Sequence, residues 1–251
     1  YCFGDAVTSS STDWFLDSVR PRRIRLSIKT LSTEKPHDYS YDPEYLLPLL
    51  LHMFDTIDVV PVRRLVETGL VGYVVVCMSS DSLTIRTKAY DLLGRYFQML
   101  EIQQSQGLLA GGGFRERPQI QLLLDSFRGA IERAYMKIPS LLAVFVADAI
   151  KILLRPGHAI YAQVNNFLLA RPTLDLTDVP MFYSCFNSGR NTAREERIWI
   201  LKLLIQGLHT DGDVKVCARR HCFTATMAVL KAHNTDKVVS RLCQEFLLRT
   251  A

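Results

Sequence analysis

The side chains best suited to chemistry in this sequence lie close together near position 220. Cys217 stands four residues before His221, and Cys222 follows His221 directly. A thiolate and an imidazole four residues apart share one face of a helix, and both are preferred zinc ligands. A structural zinc site needs four ligands, however, and no second pair stands at a suitable spacing. The pattern therefore favours a buried cysteine beside a surface histidine, and we predict no metal site and no cofactor.

Two pairs of acidic residues could do acid–base work, namely Asp175 with Asp178 and Asp211 with Asp213. Paired carboxylates commonly transfer protons in enzymes. Each pair stands where a helix is expected to start, and a carboxylate there caps the free N–H groups of the first turn. The sequence also contains no GxSxG, HExxH, Walker or dinucleotide-binding motif. We therefore predict that the chain is not an enzyme and has no small-molecule substrate.

Clusters of basic residues are the stronger indication of function. The candidate RNA or partner contacts are Arg20, Arg22, Arg23, Arg25, Arg63, Arg64, Lys215, Arg219 and Arg220. Lys215 and Arg219 share a face if their segment is helical, so the two cations could meet phosphates together. The alternative is that each cluster is a solvated face whose cations pair with nearby acids. A formal net charge of +5 permits a nucleic-acid partner without requiring one.

Composition bounds the kind of protein that can carry these residues. The chain has 251 residues, of which 48% are hydrophobic, so it can bury a substantial core. Its six cysteines include no CxxC pair and are spread through apolar stretches, which favours reduced core thiols in an intracellular protein. The longest apolar run, residues 138–154, is interrupted by Asp148 and Lys151, so we predict no membrane span. The first residue is not Met, which suggests a fragment of a longer protein.

Helices must position nearly all of these residues. The triplet Asp42-Pro43-Glu44 is typical of a helix start, and Asp178, Asp213 and Asp236 stand where N-caps are expected. One helix is predicted from Val214 to Lys231. Residues 1–40 differ, because Ile24, Leu26 and Ile28 alternate with polar residues. We predict an extended arm over residues 1–40 that packs on the body, and a helical domain over 41–251 with a flexible Gly-rich loop near 104–117.

A weak internal repeat suggests how the helices are arranged. Residues 81–89 and 212–218 each contain an Asp, a β-branched residue, a basic residue and then an Ala three positions after that basic residue. This pattern is similar to the second helix of HEAT and armadillo repeats, where the small Ala allows close helix contact. We therefore predict an all-α fold, an irregular HEAT/armadillo-like α-solenoid of about ten helices.

Three stretches carry a resemblance to a known family. They are residues 41–49 (YDPEYLLPL), residues 160–169 (IYAQVNNFLL) and residues 178–183 (DVPMFY) continuing to Trp199-Ile200-Leu201. In this order and spacing the sequence resembles the C-terminal domain of the nucleolar pre-ribosomal-associated protein 1 family over most of residues 13–231. Members of that family also have an Asp-Pro-Arg-Arg-like element where this chain has Arg20-Pro21-Arg22-Arg23.

The resemblance implies a function that the residues alone do not give. It implies a non-enzymatic scaffold in the nucleolus that assembles the large (60S) ribosomal subunit and is needed for pre-rRNA processing. The implied partners are pre-60S assembly factors, including a DEAD-box helicase module, and precursor large-subunit rRNA is a candidate. The resemblance supplies no catalytic or ligand residues. The alternative is a protein–protein adaptor of helical-repeat type without direct RNA contact, whose binding would be insensitive to salt.

Overall fold

Helices are the regular structure of this chain wherever its structure is described. The computed structural model describes residues 42–56, 62–105, 114–232 and 236–249. These ranges contain twelve helices and no strand: α1 Pro43–Thr56, α2 Val62–Glu67, α3 Leu70–Cys77, α4 Leu83–Ser105, α5 Arg117–Gly129, α6 Ser140–Leu153, α7 Tyr161–Ala170, α8 Phe182–Phe186, α9 Ala193–Gly207, α10 Asp211–Arg219, α11 Cys222–Lys231 and α12 Lys237–Leu248. The predicted all-α class is therefore confirmed, and the order of elements is consistent with an α-solenoid. The HEAT/armadillo repeat type stays a prediction.

Local capping signals explain where several helices begin. The Asp42 carboxylate accepts a hydrogen bond from the Glu44 amide at 2.9 Å, and α1 starts between them at Pro43. The Asp236 carboxylate accepts from the Val238 and Val239 amides at 3.0 and 3.2 Å and starts α12. Each carboxylate satisfies N–H groups that have no partner inside the helix. Both predicted starts are confirmed.

The predicted helix from Val214 to Lys231 is wrong, because two helices occupy that segment. The first, α10, begins at Asp211 with Thr210 as its N-cap, so Asp213 is the third residue of the helix and not its cap. The second, α11, begins at Cys222 after His221, whose φ of 53° lies in the left-handed region. A right-handed helix cannot continue through a residue in that conformation, so the chain turns at His221.

The first structural unit comprises residues 1–117 with 133–137, and its described part is built around α4. Both α1 and α3 pack on α4, and buried residues such as Leu47, Tyr73 and Leu92 fill the space between them. The segment after α5 is fastened to α4, since the Tyr90 hydroxyl donates to the Met136 carbonyl at 2.9 Å. A small apolar cavity of about 20 Å³ remains between the helices, room for about one water molecule.

The second unit comprises residues 118–132 and 138–251 and is centred on α6. Almost every residue of α6 is buried, as its all-round apolar sequence predicts. Helix α9 packs against both α6 and α12, so three helices that are each three elements apart in the chain lie next to one another. Helices α6 and α9 lie close together at Gly207, where an added Cβ would lie 2.8 Å from the Leu141 Cα.

Two predicted regions fall wholly or partly outside the described residues. The arm at 1–40 lies outside them, as does segment 106–113 of the Gly-rich loop, so both stay predictions. Helix α4 continues to Ser105 and α5 begins at Arg117, which shortens the segment available to the predicted 104–117 loop. Of the helices in the described ranges, none is both long enough and apolar enough to cross a membrane.

Candidate interaction surfaces

The candidate metal half-site at Cys217 and His221 is separated by the fold. Cys217 and Cys222 are completely buried, whereas His221 is exposed at the turn between α10 and α11. Because the helix ends before His221, the imidazole does not share a helix face with the Cys217 thiol. No group of three or more histidine, cysteine, aspartate or glutamate side chains in the described ranges could hold a metal ion. The arrangement is the predicted buried cysteine beside a surface histidine.

The described cysteines behave as core residues. Cys77, Cys185, Cys217, Cys222 and Cys243 are all free thiols and all buried. Burial raises the pKa of Cys243 to about 11, and burial together with the charge of Glu196 raises the pKa of Cys185 to about 12. Thiols with raised pKa values are poor nucleophiles and poor metal ligands at neutral pH.

The two acidic pairs have structural partners. Asp175 accepts a 2.7 Å hydrogen bond from the Thr177 amide, and this bond is the main reason why the pKa of Asp175 is lowered. Asp178 accepts a 2.7 Å hydrogen bond from the Val179 amide. In α10, Asp213 accepts from Thr210 in a capping box. Asp213 therefore contributes to capping, although as the third residue of the helix and not as its N-cap. Asp175 and Asp178 bond to amides in the loop before α8, which begins at Phe182 after Met181, so the predicted helix start at Asp178 is wrong.

Arg220 serves as a link between two loops. Its guanidinium lies 2.9 Å from the Asp178 carboxylate and 3.5 Å from that of Asp175. Its carbonyl accepts a 2.5 Å hydrogen bond from the Tyr183 hydroxyl. The charge of Arg220 is thus offset by two carboxylates, and the residue ties the start of α11 to the loop before α8.

Lys215 and Arg219 remain as the cationic face of α10. Both side chains are exposed, and they stand four residues apart within one helix, so they project from the same face. Neither forms an ion pair with an acidic side chain of the described chain segments, in contrast to Arg220. The structure therefore keeps two of the three predicted C-terminal cations available and places the third in an ion-pair cluster.

The other predicted cations divide in a similar way. Arg63 on α2 pairs with Glu67 at 2.7 Å, while its neighbour Arg64 is exposed and has no carboxylate partner within the described ranges. The four arm residues Arg20, Arg22, Arg23 and Arg25 lie outside the described residues. The alternative that these cations pair with nearby acids therefore fits Arg63, and it does not fit Arg64.

A buried polar cluster around Glu196 is a feature that the sequence patterns did not predict. Glu196 is completely buried on α9 and accepts hydrogen bonds from the Thr192 hydroxyl at 2.6 Å and the Gln163 amide at 2.9 Å, and Arg190 lies 3.6 Å away. Thr192 makes no capping bond to the first turn of α9. The sequence signal was the four-residue spacing from Thr192 to Glu196, but the contribution of Gln163 depends on the packing of α7.

Comparison with known proteins identifies the family. A family model described as "Nucleolar pre-ribosomal-associated protein 1" matches residues 71–251, nearly three quarters of the chain. The chain belongs to this family. Relatives named nucleolar pre-ribosomal-associated protein 1 are 29% identical in Mus musculus and 30% identical in Homo sapiens, each over 214 residues and 85% of this chain. The chain spans 9% of the length of these relatives. No solved structure matches the chain.

Membership of the nucleolar pre-ribosomal-associated protein 1 family confirms the resemblance seen in the sequence. The matched region contains α10 with Lys215 and Arg219, as well as the Arg220 ion-pair cluster and the Glu196 cluster. It does not include Arg63 and Arg64, which precede residue 71. The family carries the name of nucleolar proteins associated with pre-ribosomes, in agreement with the predicted location, and that name is not one of an enzyme.

Proposed function

We propose that this chain is part of a non-enzymatic scaffold that assembles the large (60S) ribosomal subunit in the nucleolus and supports pre-rRNA processing. The observation that carries the proposal is the family match over residues 71–251, since the relatives are named for their association with pre-ribosomes. The twelve helices of the described residues suit this role, because folds built from helical repeats commonly bind several partners along their surfaces. The proposed partners are pre-60S assembly factors, including a DEAD-box helicase module.

Direct contact with precursor rRNA is the finer part of the proposal. Lys215 and Arg219 support it, because they are exposed cations on one helix face with no carboxylate beside them in the described structure. A cation that is paired with a carboxylate must break that ion pair before it binds a phosphate. Lys215 and Arg219 have no such pair to break. Arg64 on α2 has the same character. Arg63 and Arg220 contribute less in this scheme, because Glu67 and the two aspartates hold them.

A protein adaptor without RNA contact is the second candidate. Large apolar side chains on the helices favour it, since Leu169 on α7 is 67% exposed and Leu248 on α12 is 75% exposed. A partner protein that covers such side chains removes their apolar surface from water, which stabilises the complex. In this alternative Lys215 and Arg219 are simply solvated.

Crosslinking in cells separates the two candidates. The tagged chain, within its full-length protein, is irradiated, and both RNA and protein are recovered and identified. The test variant is Lys215→Glu with Arg219→Glu. The matched control is Lys237→Glu with Arg241→Glu, which makes the same charge change at the same spacing on the exposed face of α12.

The RNA-contacting scaffold predicts crosslinks to large-subunit precursor RNA that fall in the α10 variant and persist in the control. The salt dependence of RNA binding should also weaken, by about 0.7 to 0.9 in the logarithmic slope for each phosphate that is no longer neutralised. Assembly factors recovered without direct RNA crosslinks would favour the adaptor. Recovery of neither pre-ribosomal RNA nor assembly factors would contradict the scaffold itself.

A further inference from the structure

The outward flank of α1 is apolar although it faces solvent. Tyr45 is 72% exposed and Leu49 is 44% exposed, and Met53 is half-buried beside them. Residues four apart lie on one helix face, so these three side chains form a continuous stripe along the helix, which we call the α1 stripe. The opposite face of α1 is already buried through Leu47 and Leu50. A contiguous apolar stripe of this kind marks a surface that another segment covers.

We propose that the α1 stripe binds residues 23–29 of the same chain in an extended conformation. In this segment Ile24, Leu26 and Ile28 alternate with polar residues, so an extended chain places all three on one face. Every second residue of an extended chain advances by about 6.6 Å. Every fourth residue of a helix advances by about 6 Å. The three apolar side chains of the segment can therefore align with the three of the α1 stripe.

The length of the connecting chain permits this contact. Thirteen residues, 29–41, separate Ile28 from Asp42, where α1 is capped. At about 3.3 Å per residue they reach about 43 Å, while the 14 residues of α1 extend about 21 Å at 1.5 Å each. The segment can thus reach either end of the stripe. Because it is tethered to α1, it binds at a high effective concentration and needs little intrinsic affinity.

Docking in this way also orients the basic residues of the arm. In an extended segment Arg23 and Arg25 lie on the face opposite Leu26. When the apolar face lies against α1, these two cations point to solvent. The same contact therefore gives a role to the apolar residues, which face α1, and to the basic residues, which face solvent.

Hydrogen exchange of the full 251-residue chain, followed by mass spectrometry, tests the proposal. Two variants, Leu26→Asp and Leu49→Asp, each remove one side of the contact. Leu248→Asp is the matched control, because Leu248 is a 75% exposed leucine on α12. If Leu49→Asp fails to fold, Tyr45→Ser replaces it at the more exposed position of the stripe. Exchange in α4 shows whether each variant retains the fold.

We expect the amides of residues 23–29 to exchange about tenfold more slowly in the parent chain than in either docking variant. The control should behave like the parent chain. Equal exchange in the parent chain and in Leu26→Asp would overturn the proposal, and so would protection that persists in Leu49→Asp. A dimer in sedimentation that Leu49→Asp dissociates would show that a second copy covers the stripe, which also overturns it.

Discussion

Asp213 and Ser140 are 73 positions apart in the sequence, yet the Ser140 amide donates a 3.1 Å hydrogen bond to the Asp213 carboxylate. Ser140 is the first residue of α6, and the same carboxylate accepts from the Thr210 amide and hydroxyl at 2.9 and 2.7 Å. One buried carboxylate thus satisfies donors at the start of two helices. It fixes α10 against α6, the central helix of the second unit.

Replacing Asp213 with Ala should lower the free energy of unfolding by about 2 to 4 kcal/mol, because several buried donors lose their acceptor at once. The control is Asp211→Ala, which removes an exposed acid from the same first turn and should cost less than about 0.5 kcal/mol. Urea unfolding followed by circular dichroism measures both. Equal effects of the two substitutions would contradict the bridging role of Asp213.

The Glu196 cluster predicts a specific loss of stability in acid. Burial by itself raises the pKa of Glu196, but hydrogen bonds from Thr192, Ser188 and Gln163 and the charge of Arg190 together hold it below its ordinary value of 4.5. A carboxyl group with a lowered folded-state pKa stabilises the fold fully above pH 4.5, and this contribution is lost as pH falls through the folded-state pKa.

Glu196→Gln keeps the shape of the side chain but removes its charge, so it should cost about 2 kcal/mol at neutral pH. The difference from the parent chain should shrink below pH 4.5, because only the parent chain loses the carboxylate there. Thermal melting between about pH 3 and pH 7 measures this difference. Glu195→Gln, an exposed neighbour on α9, is the control and should show a small effect at every pH. A difference in melting temperature between Glu196→Gln and the parent chain that stays constant with pH would disprove the stabilising role of the Glu196 charge.

Two glycines within helices should respond oppositely to the same substitution. Gly207→Ala would place a methyl group 2.8 Å from the Leu141 Cα, so α6 and α9 must move apart at a cost of about 1 to 3 kcal/mol. Gly94→Ala in α4 meets nothing within 4 Å and should stabilise its helix by about 0.5 to 1 kcal/mol. Thermal unfolding of both variants gives the comparison. A neutral Gly207→Ala would mean that the α6–α9 contact is loose.

Two neighbouring basic residues at the end of α10 should differ in how much they contribute to the free energy of unfolding. Arg220→Ala removes the partner of Asp175 and Asp178 and should lower stability by about 0.5 to 1 kcal/mol, a modest value because the pairs are partly exposed. Arg219 has no such carboxylate partner in the described structure, so Arg219→Ala should change the free energy of unfolding by less than about 0.5 kcal/mol. Denaturant unfolding distinguishes them. The opposite order would show that Arg219 holds the fold.

The sequence by itself determined the helical class and many helix boundaries. Asp42 and Asp236 start helices because their carboxylates bond to amides two or three residues away, and such contacts depend only on neighbours in the chain. The all-round apolar sequence of α6 likewise required a buried position. The family could also be identified from three sequence stretches and their order along the chain, because similarity between relatives is a property of their sequences.

Tertiary structure alone decided which polar residues are free and which are partnered. Arg219 and Arg220 are adjacent in sequence, but only Arg220 meets Asp175 and Asp178, because a loop that precedes it by more than 40 residues packs beside it. The buried carboxylate of Glu196 accepts one of its hydrogen bonds from Gln163, which lies on another helix. Asp213 is likewise shared between α6 and α10. Hydrogen bonds and ion pairs between distant segments require those segments to be packed together, and local sequence patterns do not encode that packing.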